Sequence, residues 1–255
     1  MSDREDRLSK DEHARILQER IIPENRLDAA TSQDKPSAII LAGQPGAGKA
    51  SLVRAAEIEF GYDVVAVDPD DLRRFHPQVK RFQEQSPYDW SQKTNSDAGQ
   101  WARELRDVAI EGRKNVIVDT TLGNAKPALQ TIREFQSAGY DVEIRAVATH
   151  RLESELGVDQ RFSEKLEAEG YGRHVPEAVR NAIYNGLPTS LDTIHSQTGI
   201  PIRIFSREGT ELYDSRTDAR PPGQALEEAR EARVKDPNIT HDLRDGWRDQ
   251  QAWHR

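Results

Sequence analysis

The stretch that constrains this chain most is residues 39–51. There the apolar run Ile39-Ile40-Leu41-Ala42 gives way at once to Gly43-Gln44-Pro45-Gly46-Ala47-Gly48-Lys49-Ala50-Ser51. A continuous apolar run fits a parallel strand covered on both faces. Beyond the loop, Leu52, Val53, Ala56 and Phe60 recur at helical spacing. This is the strand–loop–helix setting that gives the phosphate-binding pattern G-x-x-x-x-G-K-[ST] its meaning. Gly43, Gly48 and Lys49 match the pattern, but Ala50 stands where Ser or Thr should be, with Ser51 one residue later. Such a loop holds phosphate because successive backbone N–H groups converge on one concavity and the next helix adds its positive end. Residues 43–51 are therefore the candidate nucleotide cradle, with the Lys49 ammonium reaching the outer phosphates.

The rest of the chain repeats the alternation. Strands are predicted at 38–42, 63–68, 115–119, 141–149 and 200–205, with a short partner at 211–213. Helices are predicted at 49–60, 97–110, 128–138, 151–169, 176–185 and 187–197. The fold class is α/β, P-loop kinase-like, with a mainly parallel sheet flanked by helices. The strand at 141–149 alternates apolar and polar residues and is expected to be more exposed than the others. Residues 1–36 read as a helical extension, 37–216 as the kinase domain, and 217–255 as a polar appendage, in part disordered. The helix at 10–22 either packs on the core through Ile16, Leu17, Ile21 and Ile22 or docks a regulator.

Composition excludes several functions. A net charge of −8 argues against a polynucleotide or an anionic membrane as partner. The absence of cysteine removes disulfides, thiolate metal sites and thiol nucleophiles. No apolar run approaches the roughly 18 residues of a membrane span. The charged first residues also lack a signal-peptide core, so a soluble cytoplasmic protein is expected.

In open α/β sheets ligands sit beyond the carboxyl ends of the strands. The second predicted strand ends in Asp68-Pro69-Asp70-Asp71 and the third in Asp119-Thr120-Thr121. Both deliver carboxylates to the edge that carries the glycine-rich loop. One can take the proton of an attacking hydroxyl, and another can hold the magnesium that bridges the phosphates. Asp70 and Asp119 are the functional candidates, while Asp68 and Asp71 serve equally well as turn or cap residues. Arginines are also needed around a migrating phosphoryl group. Physical reasoning alone does not separate Arg161 and Arg173 from Arg113, Arg145 or Arg151.

These residues resemble the zeta toxin family of P-loop kinases, the toxin half of epsilon/zeta-type toxin–antitoxin systems. The likeness spans about residues 38–213. It rests on GQPGAGK, AVDPDDLRRFHP, TNSDAGQWARELRDVAIEGRKNVIVDTT, EGYGRHVP, NGLPTSLDTIH and REGTELYDS. The resemblance implies a kinase that uses ATP or GTP with magnesium. Its acceptor is the sugar 3′-hydroxyl of UDP-N-acetylglucosamine, so it inhibits cell-wall synthesis, and a small helical antitoxin restrains it. It implies Lys49 as the phosphate clamp, Asp70 as the base, Arg161 and Arg173 as arginines that close on the triphosphate, and Asp119 and Thr121 as sugar-nucleotide contacts. No metal ligand is assigned. Three positions depart from the pattern. Ala50 lacks the hydroxyl that ligates magnesium, Asp119 replaces a glutamate, and Gly123 replaces an arginine that touches the sugar nucleotide. Another small hydroxyl acceptor, or nucleotide binding without turnover, therefore stands beside the first reading.

Overall fold

The computed structural model describes residues 7–253. Residues 1–6 of the predicted extension and 254–255 of the predicted appendage lie outside the described residues. In chain order the elements are α1 (Lys10–Ile16), a π-helical turn (Leu17–Ile21), α2 (Ile22–Glu24), β1 (Ser37–Ala42), α3 (Ala50–Glu59), β2 (Val65–Val67) and α4 (Pro69–Leu72). A 3-10 turn (Arg73–Phe75), α5 (Val79–Gln85), α6 (Trp90–Lys93), α7 (Asn95–Glu111), β3 (Val116–Asp119), α8 (Ala125–Ser137) and β4 (Asp141–Ala148) follow. The chain continues through α9 (Arg151–Glu169), α10 (Glu177–Thr198), β5 (Ile202–Ser206), β6 (Glu211–Asp214), α11 (Pro222–Arg233) and α12 (Pro237–Trp253).

The strands form one sheet in the order β2-β3-β1-β4-β5-β6, parallel except for β6. The α/β expectation holds. β1 lies at the centre because its apolar run tolerates neighbours on both edges and cover on both faces. Its register sets Leu41 beside Asp119, and Val67 pairs with Val118. Consequently the residues after β1, β2 and β3 all emerge at one edge of the sheet.

β4 is not the exposed strand that its alternation predicted. It pairs with β1 and β5, and every residue after Asp141 is buried or half-buried. The polar positions are filled by paired charges: buried Arg145 contacts Glu143 and lies 2.7 Å from Glu59. The two helices predicted at 176–185 and 187–197 are one, α10, with Pro188 inside it. Proline costs a helix one hydrogen bond and crowds the carbonyl four residues back, yet flanking packing can carry the helix through. Leu187 and Leu191 are fully buried on either side of it.

The predicted appendage is helical within the described residues. α11 buries Ala225, Leu226, Arg230 and Arg233, and Leu243 and Gln250 of α12 are buried too. The polarity that resembled disorder comes partly from arginines that have acceptors inside the protein. At the other end, Ile16, Leu17, Ile21 and Ile22 join the main core, and the Trp101 indole donates 3.1 Å to the carbonyl of His13. The apolar side of that first helix is therefore already covered.

Candidate active site

The loop between β1 and α3 is fixed from three sides. The Gln44 amide nitrogen donates to the Thr149 carbonyl (2.8 Å) and to Ser154 Oγ (3.2 Å). The Thr149 hydroxyl donates 2.7 Å to the Ala47 carbonyl. The Arg207 guanidinium, from the β5–β6 hairpin, donates 2.8 Å to the Gly46 carbonyl. Gly46 has φ +79°, and a Cβ there would lie 2.0 Å from the Ser154 carbonyl oxygen. Only glycine allows the first turn of α9 to back the loop so closely.

Lys49 ends the loop with its ammonium 3.2 Å from the Gly43 carbonyl and 3.4 Å from Asp119 Oδ1. Ala50, the first residue of α3, is exposed and offers no hydroxyl. The Ser51 hydroxyl donates 3.0 Å to the Gly48 carbonyl, so its proton is already used within the loop.

At the end of β2, Asp68 caps α4 by accepting the Asp70 N–H at 2.8 Å, with Pro69 opening the helix. Burial pushes the Asp68 carboxyl up to about 7, and the nearby Asp119 and Asp71 charges push the same way against Lys49 and Arg173. Asp119 is raised as well, chiefly by burial, with Lys49 and Arg161 opposing. Asp70 is held differently. Arg73 Nε lies 3.1 Å from one of its oxygens, and Arg173 pairs with the other. Arg73 is itself buried and anchored to Thr94 Oγ1 (3.1 Å) and Asn95 Oδ1 (2.9 Å). Burial lowers the pKa of both guanidinium groups.

The structure thus brings Lys49, Asp119, Asp70 and Arg173 to one edge of the sheet. Arg161 stands exposed on α9, close enough for its charge to favour ionised Asp119. Thr121, two residues after Asp119, lines a groove of about 540 Å³ shared with Asn124, Ile183, Thr189 and Ser190. Gly123 lines the same groove, and a Cβ there would lie 2.8 Å from the Ile183 Cα. A longer side chain at 123 cannot enter without displacing α10.

A phosphate loop, a lysine and strand-end carboxylates occur in many nucleotide-dependent proteins, so the comparison with known families decides. The family model for Zeta toxin matches residues 6–218. The chain belongs to the zeta toxin family. It is 29% identical to Toxin zeta of Streptococcus agalactiae over 92% of this chain and 79% of the relative. It is 27% identical to Toxin PezT of Streptococcus pneumoniae serotype 4 over 77% of this chain and 79% of that one. A solved structure from the PezAT chromosomal toxin–antitoxin system of Streptococcus pneumoniae superposes with a TM-score of 0.84. It is 22% identical and covers 99% of this chain and 100% of that one. At that identity the superposition establishes a shared fold.

Within this zeta toxin family member, three arginines at the site escaped sequence reasoning. Arg207 lies in the REGTELYDS hairpin, and Arg73 in DLRRFHP, so both were in segments already singled out. Arg230, which reaches Gln44 from α11, has no local signal: it is one arginine among many in a polar segment.

Proposed function

We propose that this zeta toxin family member is a kinase that transfers the γ-phosphoryl group of ATP or GTP to the 3′-hydroxyl of UDP-N-acetylglucosamine. In that role it inhibits cell-wall synthesis and is restrained by a small helical antitoxin, as the pairing in the related PezAT system suggests. The observation that carries the reading is the meeting of Lys49, Asp119, Asp70 and Arg173 at one strand edge.

The acceptor hydroxyl oxygen forms the new bond to the γ-phosphorus as the bond to the β–γ bridging oxygen breaks, and the nucleoside diphosphate leaves with that electron pair. Asp70 takes the hydroxyl proton. Lys49, Arg161 and Arg173 stabilise the charge on the migrating group and the leaving oxygens. Arg173 pairs with Asp70, so a triphosphate that attracts Arg173 also frees the base.

The carboxylates suit a magnesium ion that arrives with the nucleotide. Burial first, and neighbouring carboxylate charge second, disfavour the anionic forms of Asp68 and Asp119, a cost that a cation relieves. Asp68 and Asp119 are the residues that would hold it, and it would supply positive charge that neutralises the phosphate oxygens.

The test is incubation of the natural chain and of Ala50→Thr with ATP, magnesium and a panel of UDP-sugars, with products resolved by mass spectrometry. Failure of both to phosphorylate any sugar nucleotide would sink the reading. The fit of Gly123 against Ile183, which leaves no room for a side chain contact to the acceptor from that position, favours a second reading. In it the same chemistry serves another small hydroxyl acceptor, such as a nucleoside. Extending the panel separates the two, since exclusive turnover of UDP-N-acetylglucosamine excludes the second.

A further inference from the structure

α10 carries a defect that the far end of the chain repairs. Pro188 has no N–H, so the carbonyl four residues earlier, that of Tyr184, lacks its helical donor. Arg230 of α11 donates to that carbonyl at 3.0 Å, with its guanidinium 3.9 Å from the centroid of the Tyr184 ring. Its other terminal nitrogen donates 3.0 Å to Gln44 Oε1. Both partners are 2% exposed. Among the described residues Arg230 makes no ion pair, although pairing is the ordinary reason to bury an arginine. Burial pushes its pKa down to about 10, so it remains cationic at neutral pH.

The grip is doubled one turn further on. Arg233 holds both oxygens of Glu153 at 2.6 Å and those of Glu208 at 2.8 and 2.9 Å. Glu153 in turn accepts the His150 N–H at 3.1 Å and closes the capping box of α9. That first turn of α9 is the one whose Ser154 contacts Gln44 and backs Gly46. With Thr149 and Ser154 on its nitrogen and Arg230 on its oxygen, the Gln44 side chain is held at both ends.

We infer that α11 is a positioning element of the nucleotide cradle: Arg230 fixes the loop through Gln44, so nucleotide affinity depends on a helix more than 180 positions away in sequence. The inference rests on residues 43–51 being that cradle. A residue needed only to fill the core would be apolar, whereas this guanidinium spans two carbonyl-type oxygens, one of them in the loop.

The test compares the natural chain with Arg230→Met, Arg230→Lys and Glu228→Gln, the last an exposed substitution on the same helix. Hydrogen exchange followed by mass spectrometry reads the peptide covering residues 43–49, and calorimetry reads magnesium-free ATP. Arg230→Met is expected to speed exchange in that peptide about tenfold and to weaken ATP about tenfold. β5 and the C-terminal half of α10 should exchange as before. Arg230→Lys should recover part of both effects, and Glu228→Gln should change neither. A folded Arg230→Met with unchanged loop exchange overturns the inference. If Arg230→Met does not fold, Gln44→Met tests the contact from the other end, because Arg230 keeps its place on Tyr184; unchanged loop exchange there overturns it equally. Loop exchange decides this point even if the natural chain binds no ATP, a result that would instead defeat the nucleotide reading.

Discussion

The two sides of the cleft are built on opposite principles. Around residues 43–49 the polar groups satisfy one another: Gln44 with Thr149, Ser154 and Arg230, and Ala47 and Gly46 through their carbonyls with Thr149 and Arg207. At the ends of β2 and β3, Asp68 and Asp119 are carboxylates that burial and neighbouring negative charge disfavour as anions. On the proposed reading residues 43–49 form the donor side, and their mutual hydrogen bonds mean that little rearrangement would be needed to bind phosphate. The acceptor side holds an electrostatic cost that a cation or a reorganised arginine relieves. Rigidity and poise are thus divided between the two walls of one site.

Substitutions can break this division. Lys49→Ala should have the largest effect, a fall of about 10³-fold or more in kcat/KM, because it removes the cation at the outer phosphates. Product formation under saturating acceptor measures it. Asp70→Asn should lower kcat by about 10²–10³-fold. ATP affinity in calorimetry should not fall and should tighten by up to about threefold, since Arg173 loses its ion pair with Asp70 and is released toward the triphosphate. A large loss of ATP affinity there would show the two walls to be one unit.

Ala50→Thr works in the other direction. Position 50 is exposed, so a hydroxyl enters without crowding. The half-saturating magnesium concentration in the kinase assay should fall about fivefold, with magnesium-free ATP binding unchanged; these values follow from adding a single ligand. Equal magnesium dependence in both proteins would show that the missing hydroxyl is of no consequence.

The smallest effect concerns stability and sharpens the account of the acceptor wall. Asp68 has a native pKa of about 7 against an ordinary 3.8, so the folded protein retains its proton where the unfolded chain loses it. Its contribution is complete below pH 4 and is lost as pH rises through 7. Asp68→Asn keeps the oxygen that caps α4 but cannot ionise. It should therefore raise Tm at pH 8 by about 2–4 °C, corresponding to ~1 kcal/mol, and leave Tm unchanged at pH 4. Thermal unfolding at the two pH values checks this, and a destabilised variant at pH 8 would contradict the crowding of charge.

What the sequence made legible follows the range of the interactions involved. β1, its loop and α3 were readable because a buried strand, a glycine turn and an amphipathic helix each leave a local pattern. Asp119 and Asp68–Asp71 were readable because strand ends in a parallel sheet share an edge. Arg73 and Arg207 were hidden because their partners lie on other elements. β4 was misjudged because Arg145 and Glu143, which read as exposed, are paired inside the sheet. α10 appeared as two helices because Pro188 usually ends one, and the compensating contact comes from Arg230. The polarity of residues 217–255 reads as solvent-facing for the same reason, since the partners of Arg230 and Arg233 are not visible in the sequence.

The bond between Gln44 and Arg230 also has a meaning in time. Residue 44 leaves the ribosome 186 positions ahead of its final partner. Contacts so distant in sequence form late, because a long segment must be closed before they contribute. A nascent or prematurely ended chain that stops before α11 can carry the whole glycine-rich loop and still lack the contact that completes it. For a protein proposed to harm the cell that makes it, the cradle is then finished only after α11 has been made.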